Sequence, residues 1–83
     1  MQLTVEGAAT GLEGPLLFLR RTLDVGLNDA VEVRGGDGRR RFGRVAAIDE
    51  QFLTVEVLES TAGMRADTAR VAPLVNEGRL LAS

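Results

Sequence analysis

Apolar and polar residues alternate in short runs along this chain, with glycine-rich or acidic stretches between the runs. Leu3 and Val5 alternate with Gln2, Thr4 and Glu6, the period of a half-buried strand. From Gly14 to Arg20, "GPLLFLR" is continuously apolar around Leu17, which suits a strand buried on both faces or one turning a barrel corner. In "AVEVRG", Val31 and Val33 share one face while Glu32 and Arg34 share the other. "RRFGRVAAID", Arg40 to Asp49, alternates imperfectly. Phe42 is out of phase with Val45 and Ala47, and Gly43 between them reads as a bulge where one extra residue switches faces. "FLTVEVLE", Phe52 to Glu59, points Leu53, Val55 and Val57 inward. Shorter candidates are "ARVAP" (Ala69 to Pro73) and "RLLA" (Arg79 to Ala82).

Six or seven short strands with turn signals between them predict an all-β chain, at this length a small closed barrel. A helical reading fits less well. Leu16, Leu19, Leu23 and Leu27 have helix-like spacing, but Pro15 and Gly26 bracket them, leaving room only for a short helical turn near Leu23 to Leu27. No repeat, linker or low-complexity tract divides the chain, so residues 1–83 are expected to form one domain. Its expected core is Leu3, Val5, Leu17, Val31, Val33, Val45, Leu53, Val55 and Val57.

Composition narrows the chemistry. The core must be aliphatic, since the chain has three Phe and neither Trp nor Tyr. Without Cys or His it lacks disulfides, thiolate metal sites and the commonest general base. All ten basic residues are Arg, which excludes a P-loop Lys and a Schiff-base Lys. Carboxylates, hydroxyls and Arg remain, and neither catalytic residue, cofactor nor metal is expected. The net charge of −2 gives no global attraction to nucleic acid. No run approaches the ~18 apolar residues of a membrane span, and the start shows no signal-peptide pattern. The expected location is cytoplasmic, without direct membrane contact.

One stretch could carry binding. "VEVRGGDGRRRFGRVAAID", Val31 to Asp49, holds five of the ten basic residues. Asp37-Gly38 after Gly35-Gly36 is a strong hairpin-turn signal. Arg39, Arg40 and Arg41 then leave the turn as a solvated, charged tip that blocks edge pairing. A phosphate-contacting patch of Arg39, Arg40, Arg41 and Arg44 is the alternative, weakened by the lack of any Tyr or Trp for bases to stack on. A protein-facing role is the third reading. Elsewhere, Asp49 and Glu50 read as a solvated turn, Glu56 and Glu59 as surface charges, and "LESTAGM" (Leu58 to Met64) as a loop with Ser and Thr bonding nearby backbone.

Taken in order, "GLEGPLLFL", "DAVEVRGGDGRRRFGRV", "VEVLESTAGM" and "TARVAPLVNEGRLLAS" resemble the N-terminal β-barrel of the V/A-type ATPase B subunit. The family pattern has a "GPL" strand start, an "E-I-R-x-x-D-G-R-R-R-x-G-x-V" hairpin and a "V-x-V-F-E-G-T-x-G" strand and loop. It closes on "T-x-V-x-F-T-G-E-x-L-x-L-P". The resemblance runs from about Thr4 to Ser83, and the hairpin is its most specific element. Gly36 stands where the family commonly has Pro, Leu58 replaces Phe, and Ser60 replaces the Gly after Glu59. The resemblance implies a six-stranded barrel in a crown ring, where barrels of alternating A and B subunits hold the hexamer together distal to the membrane. Asp37, Gly38, Arg39, Arg40, Arg41 and Arg44 would then belong to a hairpin that is exposed or faces a neighbouring barrel. The parent complex would couple ATP to proton or sodium movement. The family's nucleotide domain lies beyond the barrel and is absent from this chain. The alternative is a stand-alone barrel that binds nucleic acid or another protein through the hairpin.

Overall fold

Short strands separated by tight turns leave unpaired backbone groups at every sheet edge, and closing the sheet on itself removes those edges. The computed structural model, which describes residues 6–74, shows this solution. Six strands, β1 (Gly7–Glu13), β2 (Leu16–Arg20), β3 (Ala30–Arg34), β4 (Arg40–Ile48), β5 (Phe52–Val57) and β6 (Arg70–Pro73), close into a barrel in the order β1-β2-β5-β4-β3-β6. Every neighbouring pair is antiparallel, and closure comes from Gly7 and Ala8 of β1 against Val71 and Arg70 of β6. The anticipated strands at Leu3 and Val5 and at Arg79 to Ala82 lie outside the described residues.

Period-2 alternation places one face of each strand in the barrel lumen. Leu17 and Leu19 of β2, Val31 and Val33 of β3, Val45 of β4, Leu53, Val55 and Val57 of β5 and Val71 of β6 are buried there. Ala9, Leu23, Met64 and Ala69 complete the cluster. Full burial of a large aliphatic side chain is worth about 1.5–3 kcal/mol, so this layer is the principal stabilising feature. Strand β2 alternates despite its continuous apolar sequence. Leu16 and Phe18 face outward, half-buried, and Phe18 lies over Gly11 of β1.

Two local expectations are corrected. Gly43 is not a bulge: it pairs in regular register with Val31 on one side and Val57 on the other. A Cβ there would stand 2.9 Å from Val55 Cγ1 and 3.2 Å from the Glu56 carbonyl oxygen, so glycine allows β4 to cross close to β5. The register shift falls further on, between Val45 and Ala47, and leaves Ala47 exposed. Nor is Leu23 to Leu27 helical. Leu23 is buried against the core, Leu27 is exposed, and the chain reverses through Asn28 in the left-handed region at φ 71°. One 3-10 turn occurs instead at Ala66–Thr68.

The β1–β2 turn, the β3–β4 hairpin and the β5–β6 connection gather at one end of the barrel. Val57 N–H donates to the Pro15 carbonyl at 2.8 Å, and Thr61 Oγ1 donates to the Gly14 carbonyl at 3.1 Å. This end carries the hairpin arginines.

Candidate interface at the hairpin end

The turn is built by glycine and one carboxylate. Gly38 N–H donates to the Gly35 carbonyl at 3.0 Å, with Gly38 at φ 81°. Asp37 Oδ1 accepts the Arg39 N–H at 2.9 Å, as an Asp does when it caps its own turn. That backbone N–H, and next to it the Arg41 guanidinium, hold the Asp37 carboxyl below its ordinary value of 3.8. Gly36 explains one departure from the family pattern. A Cβ at this position would lie 2.5 Å from Thr68 Oγ1, so the hairpin packs directly on the 3-10 turn.

The three consecutive arginines separate. Arg39 is exposed, and Arg40 is exposed within 3.9 Å of Glu32. Arg41 corrects the expectation of a wholly solvated tip: only 1% of it is exposed. Its place in the alternation is inward, on the same face as Gly43 and Val45. Its Nε donates to the Ser60 carbonyl at 2.8 Å, Nη2 to the Ala62 carbonyl at 3.4 Å and to Asp37 Oδ2 at 3.3 Å, and Nη1 to the Arg39 carbonyl at 3.4 Å. A guanidinium has five N–H donors in a fixed plane, and three carbonyls and one carboxylate converging from two loops take up four of them. The side chain therefore ties the β3–β4 hairpin to the loop at Leu58 to Met64.

That loop bonds its own backbone as its composition suggests, with Ala62 N–H donating to Ser60 Oγ at 3.2 Å. Glu59 extends the ladder where β5 ends: its Oε2 accepts the Phe42 N–H at 2.9 Å. Arg44 lies away from the tip on the outer wall, donating to Glu56 Oε1 at 2.7 Å and Asn28 Oδ1 at 2.6 Å. Hence Asp37, Gly38, Arg39 and Arg41 come together, while Arg40 and Arg44 face outward along β4.

Of the exposed large apolar residues, Phe42 stood out in the sequence by its phase, whereas Leu58 was read only as part of a loop. Phe42 and Leu58 are 59% and 57% exposed, and a backbone hydrogen bond places them opposite each other where β5 ends. Phase placed Phe42 opposite to Val45, which on a barrel means outside; the signal was present for that residue. Among the described residues, no group of three or more carboxylates is placed to hold a metal ion, and no helix is long and apolar enough to cross a membrane.

No protein-family model matches the chain. Curated relatives do. The chain is 32% identical over 71 residues to the V-type ATP synthase beta chain of Thermus thermophilus, covering 86% of this chain and 15% of that protein. To the B subunit of the A-type ATP synthase of Methanosarcina mazei it is 38% identical over 58 residues, 70% of this chain and 13% of that protein. To the V-type ATP synthase beta chain of Halothermothrix orenii it is 35% identical over 60 residues, 72% of this chain and 13% of that protein. The chain thus spans only 13–15% of the length of these relatives. Matched over most of its length and folded as the closed six-stranded barrel that the resemblance implied, the chain belongs with the V/A-type ATP synthase B subunits over one barrel-sized segment.

Proposed function

We propose that residues 1–83 form one barrel domain that acts as a non-catalytic assembly module, the crown element of a V/A-type ATP synthase B subunit. In this reading it packs side by side with barrels of neighbouring A and B subunits in a hexameric ring, on the cytoplasmic head of a complex that couples ATP to proton or sodium movement. The observation that carries the reading is the coincidence of extent: the 71 matched residues correspond in number to a complete closed barrel. Rigidity is what such a ring requires of its modules. Arg41 supplies it at the end where ordinary loops would move, by bonding two connections into one body. The chain's chemistry agrees, since it has neither His nor Lys with which to run nucleotide chemistry.

The hairpin geometry favours the assembly reading over the polyanion one. Arg41 is buried and Arg44 is paired with Glu56, leaving Arg39 and Arg40 as the hairpin's solvent-facing cations. Two such charges release few counterions, too few for tight binding at physiological salt. The decisive experiment is affinity capture of the tagged chain from its own cells, followed by native mass spectrometry. Recovery in one assembly with the catalytic chain of an ATP synthase is the expected result. Recovery with nucleic acid, dissociating steeply as salt rises, overturns it.

A further inference from the structure

The outer wall between β4 and β5 carries two adjacent rows of side chains. In the first, Leu58 N–H donates to the Phe42 carbonyl at 2.9 Å, so the two exposed apolar residues stand opposite each other across the seam. In the second, two residues along the register and so on the same face, Arg44 stands opposite Glu56 and bonds it at 2.7 Å. Asn28 Oδ1 also accepts from Arg44 at 2.6 Å, so the guanidinium is held before any partner arrives.

Across the seam between the strands this pattern has a simple symmetry. Apolar faces apolar, and cation faces anion. A twofold axis laid along the seam, in the plane of contact, exchanges the β4 side of one molecule with the β5 side of another. Phe42 then meets Leu58 of a second copy and Arg44 meets Glu56 of a second copy, each contact occurring twice. No like charges of these rows are brought together. Aromatic residues and Arg, represented here by Phe42 and Arg44, are the types enriched at protein interfaces.

We propose that the β4–β5 wall is a self-complementary docking surface for a second copy of this chain, centred on Phe42 and Leu58 and given its register by Arg44 and Glu56. The proposal goes beyond the ring reading and does not depend on it. A convex barrel wall offers little more than two strands of contact, so the dimer belongs to the small, transient class of interfaces.

The symmetry dictates the test. Sedimentation velocity of the chain, from about 10 μM to about 1 mM, is expected to show reversible doubling of mass. Arg44→Glu sets two acids against each other across the axis, and Glu56→Arg sets two bases; each variant is expected to sediment as a monomer. Mixed in equal amounts they should form a heterodimer, because each then supplies the charge the other lacks. The double exchange Arg44→Glu with Glu56→Arg in one chain should dimerise as the wild type does. Phe42→Ser, which changes an exposed position, should be monomeric with an unchanged circular dichroism spectrum. A wild-type monomer throughout the range overturns the proposal. So does a dimer that survives Phe42→Ser, or single charge variants whose mixture stays monomeric. If a single variant fails to fold, the double exchange and Phe42→Ser still decide the matter.

Discussion

Arg41 occupies an inward position of a barrel strand, where a valine would cost nothing in desolvation. A guanidinium survives there because carbonyls of Arg39, Ser60 and Ala62 and the Asp37 carboxylate surround it. Arg41→Ala removes the donors but leaves the carbonyls out of water, and it empties the space the side chain filled. The expected loss is about 2–4 kcal/mol in urea unfolding at pH 7. The double variant Arg39→Ala with Arg40→Ala, close by in sequence, is expected to change stability by less than about 1 kcal/mol, since exposed charges contribute little. Equal losses would mean that Arg41 is no tie. Asp37 adds a pH dependence whose sign follows from its lowered value. Its contribution is fully present above 3.8, the ordinary value, and is lost as pH falls through the lower folded-state value. Melting temperatures of wild type and Asp37→Asn should therefore differ at neutral pH and converge below about pH 4. A gap that persists in acid would assign the effect to geometry rather than charge. The separate fate of Arg41 was legible in principle, because it shares a face with Gly43 and Val45. Three arginines in succession read as one solvated run only when the alternation is ignored.

At the scale of elements, the strands that announced themselves were β2 to β6, whose inward positions carry aliphatic residues such as Leu17, Val31, Val45, Leu53 and Val71. Strand β1 did not. Its sequence, GAATGLE, buries Gly7 and Ala9, and the volume missing from those positions is filled from β2 and the following loop. A Cβ on Gly7 would lie 2.7 Å from Leu19 Cδ1 and 3.5 Å from Leu23. A pattern search finds no strand where the bulk belongs to a neighbour; that is a tertiary fact, invisible to local alternation. Gly43 misled for the same reason. A glycine between two out-of-phase hydrophobes suggests a bulge, whereas here it marks a close crossing of β4 over β5 with Phe42 simply facing outside. The two explanations differ in what alanine does. At the close crossing, Gly43→Ala drives a methyl to 2.9 Å from Val55 Cγ1 and 3.2 Å from a backbone oxygen that cannot move alone. The expected cost is about 1–3 kcal/mol, read as a lowered urea midpoint with an unchanged slope. A near-neutral substitution would restore the bulge.

At the scale of the molecule, the described residues share one core, with no free layer among them to which damage can be confined. Every strand pairs on both sides, and strands distant in sequence, β1 with β6 and β3 with β6, close the barrel. A domain of this size has about 4–12 kcal/mol of stability in total. Val55 lies fully buried on β5, between β2 and β4, paired with Leu17 and Val45. Among the described residues the one buried cation is Arg41, already engaged by carbonyls and Asp37, so a carboxylate there meets no free cation among them. Burying it ionised costs several kcal/mol, and protonating it at pH 7 costs a comparable amount. Either penalty consumes most of the total, and closure leaves no sub-barrel able to fold without β5. Val55→Asp is therefore expected to abolish the cooperative thermal transition at neutral pH and to regain part of it in acid, where the introduced carboxyl is neutral. The acid recovery separates buried charge from lost packing: a variant equally unfolded in acid and at neutral pH would point to volume and shape rather than to desolvation. Cooperative melting retained at neutral pH would mean that β5 turns its other face to the core.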